Sequence, residues 1–475
     1  MKIEQIYTGC LAQGAYYITS GKEAAIIDPL REIQPYLDRL EKDGVVLKYI
    51  FETHFHADFV SGHLDLSNET RAEIVYGPTA KPDFKALIAT DGQVFKVGDV
   101  TFKILHTPGH TMESSSFLLI DENGKDTAIF SGDTLFIGDV GRPDLAQKAA
   151  SMTKEQLAAT LYHSLRDKIM TLPDDVIVYP AHGAGSACGK NMSKETVSTI
   201  GEQKKSNYAL RADMTEQEFI NEVTDGLLPP PAYFGMNVAM NKSGIKSFES
   251  VLNQGMQKIN ASEFEAVAQE TGALILDARP NGVFAKGFVP QSINIGINGD
   301  FAPWVGALII DVNQPIALVT EPGFEQEVVT RLSRVGFDNV IGYLNGGFDA
   351  WKSSGQDIDS VNRITAQEFS REVKPGLDMI IDVRRESEYA AEHIDGAYSK
   401  PLAYMNDWIK DVDPEKHFFI HCAGGYRSMI AASILQSRGY RNFTEIEGGF
   451  SAIAKTNLPK SDFVCQSKTL KTTSI

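Results

Sequence analysis

The chain has 475 residues, 43% of them hydrophobic and 23% charged, which describes a globular protein of roughly two to four domains and excludes a disordered one. A formal net charge of −17 argues against a nucleic-acid partner. No apolar run has the length that a membrane span needs, and the early Glu4 argues against a secretory signal.

The four cysteines, at positions 10, 188, 422 and 465, are widely scattered. Such spacing is too sparse for a disulfide framework and suits a reducing compartment. We therefore expect a cytoplasmic protein in which an individual cysteine matters for its chemistry.

Residues 1 to about 240 alternate short apolar segments with turns, and several of these segments end directly in His or Asp. The predicted strands are AYYITS, EAAIIDP, KYIFE, FKILHTPG, SFLLID, TAIFSGD and VIVYPAHG. The clearest helical pattern is MTKEQLAATLYHSLRDKIMTL. Loops that follow strands are where functional sites are usually built.

Histidines and aspartates collect on these loops. They are His54, His56 and Asp58 in THFHADF, His110 in HTPGHT, Asp133 in FSGDTLF and His182 in YPAHGAG. Any one of them is as consistent with a turn cap as with a ligand. Together, imidazole and carboxylate ligands on the loops of one domain predict a zinc or iron site.

This set of motifs resembles the metallo-β-lactamase superfamily, which implies an αββα sandwich with metal at one edge. In hydrolases of that superfamily such as glyoxalase II, the motif continues as His-x-His-x-Asp-His, and the final pair helps to hold a second metal ion. Here Phe59 follows Asp58. A phenyl ring has no lone pair to donate, so we expect a mononuclear site.

Another branch of the superfamily, the persulfide dioxygenases, uses one non-haem Fe(II) held by two histidines and a carboxylate. That resemblance implies His54, His110 and Asp133 as ligands, with His56, Asp58 and His182 orienting them or bound water. It also implies oxidation of a persulfide, RSSH, with O₂ to sulfite and a thiol.

Arg142, in GDVGRPDL, resembles the family arginine near the thiol-substrate pocket. An ion pair with Asp144 is an equally good explanation. Cys188 stands six residues after His182. It is either a sulfur relay or a small buried apolar residue.

The segment LLPPPAYFGMNVAMNKSG, residues 227–244, contains three consecutive prolines. We interpret it as a stiff, extended domain boundary. The chain after it contains an internal repeat, in which Asp277 matches Asp382 and Gly347 matches Gly449. The sequence therefore predicts an α/β multidomain protein with domains at 1–245, 246–358 and 359–475.

In the second repeat, the apolar segment FFIH leads into Cys422, and a six-residue loop from Cys422 to Arg427 precedes an amphipathic helix. Glycine-rich backbone and a helix N-terminus favour a thiolate, and then a persulfide, at this position. Arg427 can hold an anion by paired hydrogen bonds. The loop residues expected to bind substrate are Gly424, Gly425, Tyr426 and Ser428.

This loop and the preceding IIDVRRESEYAAEHIDGA resemble the rhodanese sulfurtransferases, with Asp382 and Arg384 beside the active loop. The first repeat has IALVTEPGFEQEVV instead, without a cysteine and with Pro322 and Glu325 in the loop. We interpret it as a degenerate rhodanese-like domain. A spacer or assembly role is one hypothesis, and a leftover binding groove is the other.

The three domains together resemble persulfide dioxygenase–rhodanese fusions. That resemblance implies a cytoplasmic, sulfide-detoxifying enzyme in which sulfite from the iron site accepts sulfur from a Cys422 persulfide and forms thiosulfate. Expected partners are small glutathione-, coenzyme A- or cysteine-type persulfides, O₂ and sulfite, with neither nucleic acid nor membrane, in a homo-oligomer. The alternatives are a zinc thioester hydrolase fused to a sulfur carrier, and a non-catalytic regulatory protein.

Overall fold

The structure, a computed structural model, describes residues 1–464, so Cys465 lies outside the described residues. The chain forms two units. The first comprises residues 1–250 and 333–336, and the second comprises residues 251–332 with the described residues from 337 onward. None of the helices in the described part of the chain has the length and apolar character to cross a bilayer.

The strands of the first unit are β1 (Lys2–Thr8), β2 (Gln13–Ser20), β3 (Glu23–Ile27), β4 (Val46–Glu52), β5 (Glu73–Tyr76), β6 (Leu87–Ile88), β7 (Val94–Val97), β8 (Val100–His106), β9 (Ser115–Ile120), β10 (Asp126–Gly132), β11 (Ile177–Pro180) and β12 (Ser198–Thr199). In this described region they form two six-stranded sheets, ordered β1-β2-β3-β4-β5-β6 and β12-β11-β10-β9-β8-β7.

The helices of the first unit cover the outer faces of these sheets. They are α1 (Gln34–Asp43), α2 (His63–Thr70), α3 (Gln147–Ala150), α4 (Lys154–Ser164), α5 (Ile200–Ser206), α6 (Glu216–Thr224) and α7 (Phe234–Ser243). Apolar residues of α1 and α2 pack on the first sheet, and those of α4, α5 and α6 pack on the second.

A third apolar layer lies between the two sheets, because alternate side chains of each strand point inward. Phe51 of the first sheet contacts Phe102 and Phe117 of the second, with ring centroids 5.0 Å apart in both pairs. The architecture is therefore the expected αββα sandwich.

All seven strands predicted for this unit are present, and the predicted helix forms α4, which ends in a π-turn at Leu165–Ile169. The expectation of an extended segment at 227–244 is wrong for its second half. Residues Phe234–Ser243 form α7, since the prolines stop at Pro231 and the residues after them are compatible with a helix.

The strands of the second unit are β13 (Lys258–Ile259), β14 (Leu274–Asp277), β15 (Ile293–Asn294), β16 (Ile316–Val319), β17 (Val340–Leu344), β18 (Arg363–Thr365), β19 (Met379–Asp382), β20 (Tyr398–Ser399), β21 (Phe418–His421) and β22 (Phe443–Glu447). The sheets are parallel and ordered β13-β17-β16-β14-β15 and β18-β22-β21-β19-β20. The two orders are the same permutation, which confirms the internal repeat.

The helices of this part of the chain are α8 (Phe248–Gly255), α9 (Ala261–Thr271), α10 (Asn281–Phe284), α11 (Phe301–Leu308), α12 (Glu325–Arg334), α13 (Gly347–Ser353), α14 (Ala366–Glu372), α15 (Glu386–Ala391), α16 (Met405–Trp408), α17 (Tyr426–Ser437) and α18 (Gly449–Ile453). The sequence predicts that α17 is amphipathic. It is instead buried from Ser428 to Gln436, because α17 packs against β15 of the first repeat as well as against its own sheet.

Gly109, in the loop that carries His110, has a φ of +138° and touches α4. A Cβ there would lie 2.5 Å from the backbone nitrogen of Leu161. Gly124 also has a positive φ, +81°, but a Cβ there would meet nothing within 4 Å. Both positions are strained for a residue with a side chain, but only at Gly109 does the added Cβ also collide with a neighbouring helix.

We predict that Gly124→Ala lowers the free energy of unfolding by about 1–2 kcal/mol from backbone strain alone. Gly109→Ala should lose about 1–3 kcal/mol more, because α4 must move to admit the methyl group. Urea denaturation of both variants measures the difference. Equal losses would contradict the packing described.

Candidate metal centre and sulfur-transfer site

Loops at the ends of strands from both sheets converge on one buried cluster. His54 follows β4, His110 follows β8, Asp133 follows β10 and His182 follows β11. Each of the four has at most 2% of its surface exposed. Their positions in the loops that follow these strands, which the sequence indicated, are therefore what brings them together.

Ligand atoms of His54, His110 and Asp133 all lie within 4.8 Å of one another. The Oδ2 atom of Asp133 is 3.8 Å from Nε2 of His54 and 3.4 Å from Nε2 of His110. These spacings suit three ligands around one ion rather than three direct hydrogen bonds.

Hydrogen bonds at Nδ1 assign the tautomers of the two rings. Nδ1 of His110 is 3.0 Å from the carbonyl oxygen of Arg142, which can only accept. The Thr53 hydroxyl donates to Asp28, so it accepts from Nδ1 of His54 at 3.0 Å. Both rings therefore keep a lone pair on Nε2, the atom that faces Asp133.

The charges around the cluster fit a bound cation. Among the described residues, neither carboxylate oxygen of Asp133 takes part in a hydrogen bond, although the side chain is buried. Burial and the neighbouring imidazoles hold the pKa of His54 well below its ordinary value, which keeps the ring neutral. A buried carboxylate without hydrogen bonds, beside two imidazoles that each offer an Nε2 lone pair, is the donor set of a metal centre.

The ring of His56 lies 4.2 Å from that of His54, centroid to centroid, but its Nε2 faces two other carboxylates. Its Nε2 is 3.1 Å from Asp28 and 3.5 Å from Glu52, both buried. Burial disfavours the charged ring, but the carboxylates outweigh it, Asp28 most of all, and raise the pKa of His56 to about 9. The fully buried ring of Phe59 packs on its other side, with centroids 4.3 Å apart.

A second group of ligand atoms, from His56, Asp58 and His182, also falls within 4.8 Å. Nδ1 of His182 lies 3.3 Å from the carbonyl of Ala12, and its Nε2 lies 3.5 Å from Asp58 and 3.6 Å from Asp133. A lone pair facing two carboxylates is unfavourable, so a proton or a cation belongs at this nitrogen. Burial opposes the charged ring, but these carboxylates raise the pKa of His182 well above its usual value.

Several residues that hold the site were missed from the sequence. Asn241 of α7 is buried, and its amide donates to the carbonyls of His56 and Phe59 while accepting from the backbone of Ser61. It lies in the segment interpreted as a domain boundary. Asp28 directly follows β3 and precedes Pro29, so the same strand-end rule could have found it.

Arg142 lies beside the cluster, but its guanidinium is already paired. It contacts Asp144 at 2.9 and 2.7 Å and donates to the carbonyls of Ala187 and Leu228. These contacts are the ones expected if Arg142 forms a structural ion pair with Asp144. They also anchor the residue whose carbonyl orients His110.

Cys188 lies against the same cluster. Its sulfur is grouped with ligand atoms of Asp133 and His182 within 4.8 Å, and the residue is 1% exposed. Burial, followed by the charges of Asp58 and Asp133, raises the pKa of Cys188 to about 12. The thiol is therefore protonated at neutral pH. Cys10, Cys188 and Cys422 are free thiols, so the described cysteines form no disulfide.

The Cys422 loop holds the sulfur with backbone groups. The Gly425 N–H donates to Sγ at 3.1 Å, and the Ser428 hydroxyl lies 3.4 Å from it. The carbonyl of Cys422 accepts from the N–H of Phe450 at the start of α18. The N-terminus of α17, which begins at Tyr426, adds positive potential beside the sulfur.

The other predicted loop residues are placed differently. Arg427 forms a two-point ion pair with Glu388, at 2.6 and 2.8 Å, so its donors are shared with a carboxylate before any substrate arrives. Ser428 donates to the buried Glu445 at 2.6 Å. Gly424 is exposed, while Tyr426 turns toward the first repeat. Glu388 and Glu445 carry no sequence signal that distinguishes them from surface acids.

The corresponding loop of the first repeat is closed by its own side chain. Thr320 stands at the cysteine position after β16, and the N–H of Gly323 donates to the carboxylate of Glu325 at 2.8 Å. The equivalent group in the second repeat is the Gly425 N–H, which donates to Sγ of Cys422. In the first repeat, a carboxylate of the same loop therefore accepts from the N–H that corresponds to the sulfur donor of the second repeat.

Comparison with family models places these sites in known folds. Residues 8–182 match the metallo-beta-lactamase superfamily, and residues 260–354 and 365–456 each match the rhodanese-like domain. A human protein named "Persulfide dioxygenase ETHE1, mitochondrial" is 32% identical over 224 residues, which are 46% of this chain and 78% of that protein. The chain belongs to the metallo-beta-lactamase superfamily. Its second unit adds two rhodanese-like domains.

Other members of the superfamily show how broad this relationship is. A hydroxyacylglutathione hydrolase of Tolumonas auensis is 39% identical over 171 residues, 35% of this chain but only 60% of the hydrolase. The solved structure of a metallo-beta-lactamase from Staphylococcus aureus is 30% identical with a TM-score of 0.64, covering 72% of this chain and 98% of that one. Family membership alone therefore leaves both an oxygenase and a hydrolase open.

We predict that Thr53→Val weakens Fe(II) or Zn(II) binding by about 10- to 100-fold, because it removes the acceptor that orients His54. Thr127→Val is the matched control, since that hydroxyl donates to the Leu119 carbonyl away from the site. Anaerobic calorimetric titration measures both. An unchanged metal affinity in Thr53→Val would refute the tautomer assignment.

Proposed function

We propose that the first domain, residues 1–245, is a mononuclear Fe(II) persulfide dioxygenase, and that Cys422 in residues 359–475 is the sulfurtransferase nucleophile. RSSH, O₂ and water give RSH, sulfite and two protons. The Cys422 thiolate attacks the outer sulfur of a second RSSH, which releases RSH and leaves a persulfide on Cys422. Sulfite then attacks the outer sulfur of that persulfide, which forms thiosulfate and returns the Cys422 thiolate. The net result is detoxification of sulfide-derived persulfides in the cytoplasm.

The observation that carries the iron assignment is the split between the two groups of histidines. His54 and His110 present Nε2 lone pairs to Asp133, whereas His56 is held by Asp28 and covered by Phe59. Two imidazoles and one carboxylate are the donor set of non-haem Fe(II) oxygenases. Fe(II) held there would supply open positions for O₂ and sulfur, together with the redox chemistry.

The residues around the ligands have separate roles. His182 holds a proton on Nε2 between Asp58 and Asp133, which neutralises charge next to the anionic substrate. Arg142 fixes the carbonyl that orients His110. The protonated thiol of Cys188 favours a packing role beside Asp133, and a relay role requires a base to remove its proton.

In the sulfur-transfer site, the Gly425 N–H and the start of α17 stabilise negative charge on sulfur. Arg427, on the rim of the loop, meets the incoming anion with the donors that it shares with Glu388. Because both active domains belong to one chain, the linkage raises the effective concentration of intermediates. The substrates are a low-molecular-weight persulfide, O₂ and sulfite, and we expect a homo-oligomer.

A second candidate is a zinc thioester hydrolase fused to a sulfur carrier. The observation in its favour is the group of His56, Asp58 and His182, whose ligand atoms also lie within 4.8 Å. The Tolumonas auensis relative carries a hydrolase name as well. Phe59 argues against it, because its ring occupies the motif position that holds the second ion in such hydrolases.

We predict that Cys422→Ser, given glutathione persulfide in air, consumes O₂ at the wild-type rate but accumulates sulfite in place of thiosulfate. Oxygen-electrode traces and quantification of both sulfur anions measure this. Cys10→Ser is the matched control and should leave the products unchanged. Undiminished thiosulfate from Cys422→Ser would exclude the transfer step, and an absence of O₂ uptake in all three proteins would favour the hydrolase.

A further inference from the structure

We infer that the degenerate rhodanese-like repeat positions the sulfur-carrying loop of the active repeat. It does so through Asn281 and through a recess at Gly296 and Gly299 that receives the Tyr426 ring, here called the seat. The inference rests on the sulfur-transfer half of the proposed function and does not depend on the iron chemistry. It gives the first repeat a role other than a spacer or a binding groove.

Two hydrogen bonds join the first repeat to the Cys422 loop. The side-chain amide of Asn281 donates to the carbonyl of Gly425 at 3.0 Å. The hydroxyl of Tyr426 donates to the carbonyl of Gly296 at 2.7 Å. Consecutive residues of the active loop are thus held by two different parts of the degenerate repeat.

The first repeat is shaped to receive the Tyr426 ring. A Cβ at Gly299 would lie 2.3 Å from Cζ of that ring, closer than any side chain can come. A Cβ at Gly296 would be 3.4 Å from the same ring. Glycine at 299 is therefore required by close approach, and its lack of a side chain makes the seat.

These anchors act on the backbone that holds the sulfur. Gly425 has a φ of +99°, and its N–H donates to Sγ of Cys422. Asn281 fixes the carbonyl of the same residue, and in a planar trans peptide this directs the N–H of Tyr426 the opposite way. The anchors therefore set the orientation of N–H groups at the start of α17.

The loop that carries Asn281 is itself rigid. Asp277 and Arg279 form a buried pair at 2.6 Å, matching Asp382 and Arg384 of the active repeat. The amide of Asn294 donates to the carbonyls of Asp277 and Arg279. The first repeat, which has no cysteine, thus retains the Asp277–Arg279 pair and its Asn294 contacts. These interactions hold Asn281 in place.

The test compares full-length Asn281→Ala and Tyr426→Phe with wild type in sulfur transfer from thiosulfate to cyanide. Asn281→Ala removes the shorter of two hydrogen bonds to the Gly425 carbonyl and leaves the one from the Met429 N–H at 3.3 Å. Tyr426→Phe removes one hydroxyl while the ring stays in its seat. We expect kcat to fall about tenfold in Asn281→Ala and about threefold in Tyr426→Phe, with KM changed less than about twofold. Asn313→Ala, an exposed asparagine of the same repeat, is the control and should match wild type.

A merely structural role would not move the ionisation of Cys422. We expect the pH midpoint for alkylation of Cys422 by iodoacetamide to rise in both loop variants and to stay at the wild-type value in Asn313→Ala. Wild-type kcat and an unshifted midpoint in both loop variants would overturn the inference. A wild-type protein without any Cys422-dependent transfer would instead overturn the sulfur-transfer half of the proposed function.

Discussion

The buried carboxylate of Asp133 is the constraint on which the first unit depends. Ionised groups are costly to bury unless a partner neutralises them, and neither oxygen of Asp133 is hydrogen-bonded among the described residues. The surrounding residues are arranged around that need. The Thr53 hydroxyl and the Arg142 carbonyl accept hydrogen bonds from Nδ1 of His54 and His110, respectively. Both Nε2 lone pairs therefore remain for a cation beside the carboxylate.

The second unit solves a related problem with backbone groups. A persulfide anion at Cys422 needs N–H donors that already point at it, and a glycine-rich loop is too pliable to keep them aligned by itself. Helix α18 holds the Cys422 carbonyl, and the degenerate repeat holds the carbonyl of Gly425. On our proposal, the second repeat carries the chemistry and the first repeat keeps its loop rigid.

Much of this arrangement could be predicted from the sequence. Strand-end histidines and aspartates mark the metal cluster, because the ends of β4, β8, β10 and β11 meet at one edge of the sandwich. The glycine loop after β21 marks Cys422. The sequence could not show that Arg427 is paired with Glu388 or that α17 is buried on all sides. Those features depend on contacts between distant segments, and local patterns carry no record of them. Asn241 was missed for the same reason, because its partners His56, Phe59 and Ser61 are distant in the sequence. The three prolines before α7 also favoured an extended segment there.

The central claim is that a single redox-active ion lies between His54, His110 and Asp133. Metal analysis of anaerobically purified protein, paired with O₂ consumption on addition of glutathione persulfide, tests it most directly. We predict one iron per chain and one O₂ consumed for each persulfide oxidised. Two bridged zinc ions per chain, or an iron-loaded protein that consumes no O₂ with persulfide, would contradict the account.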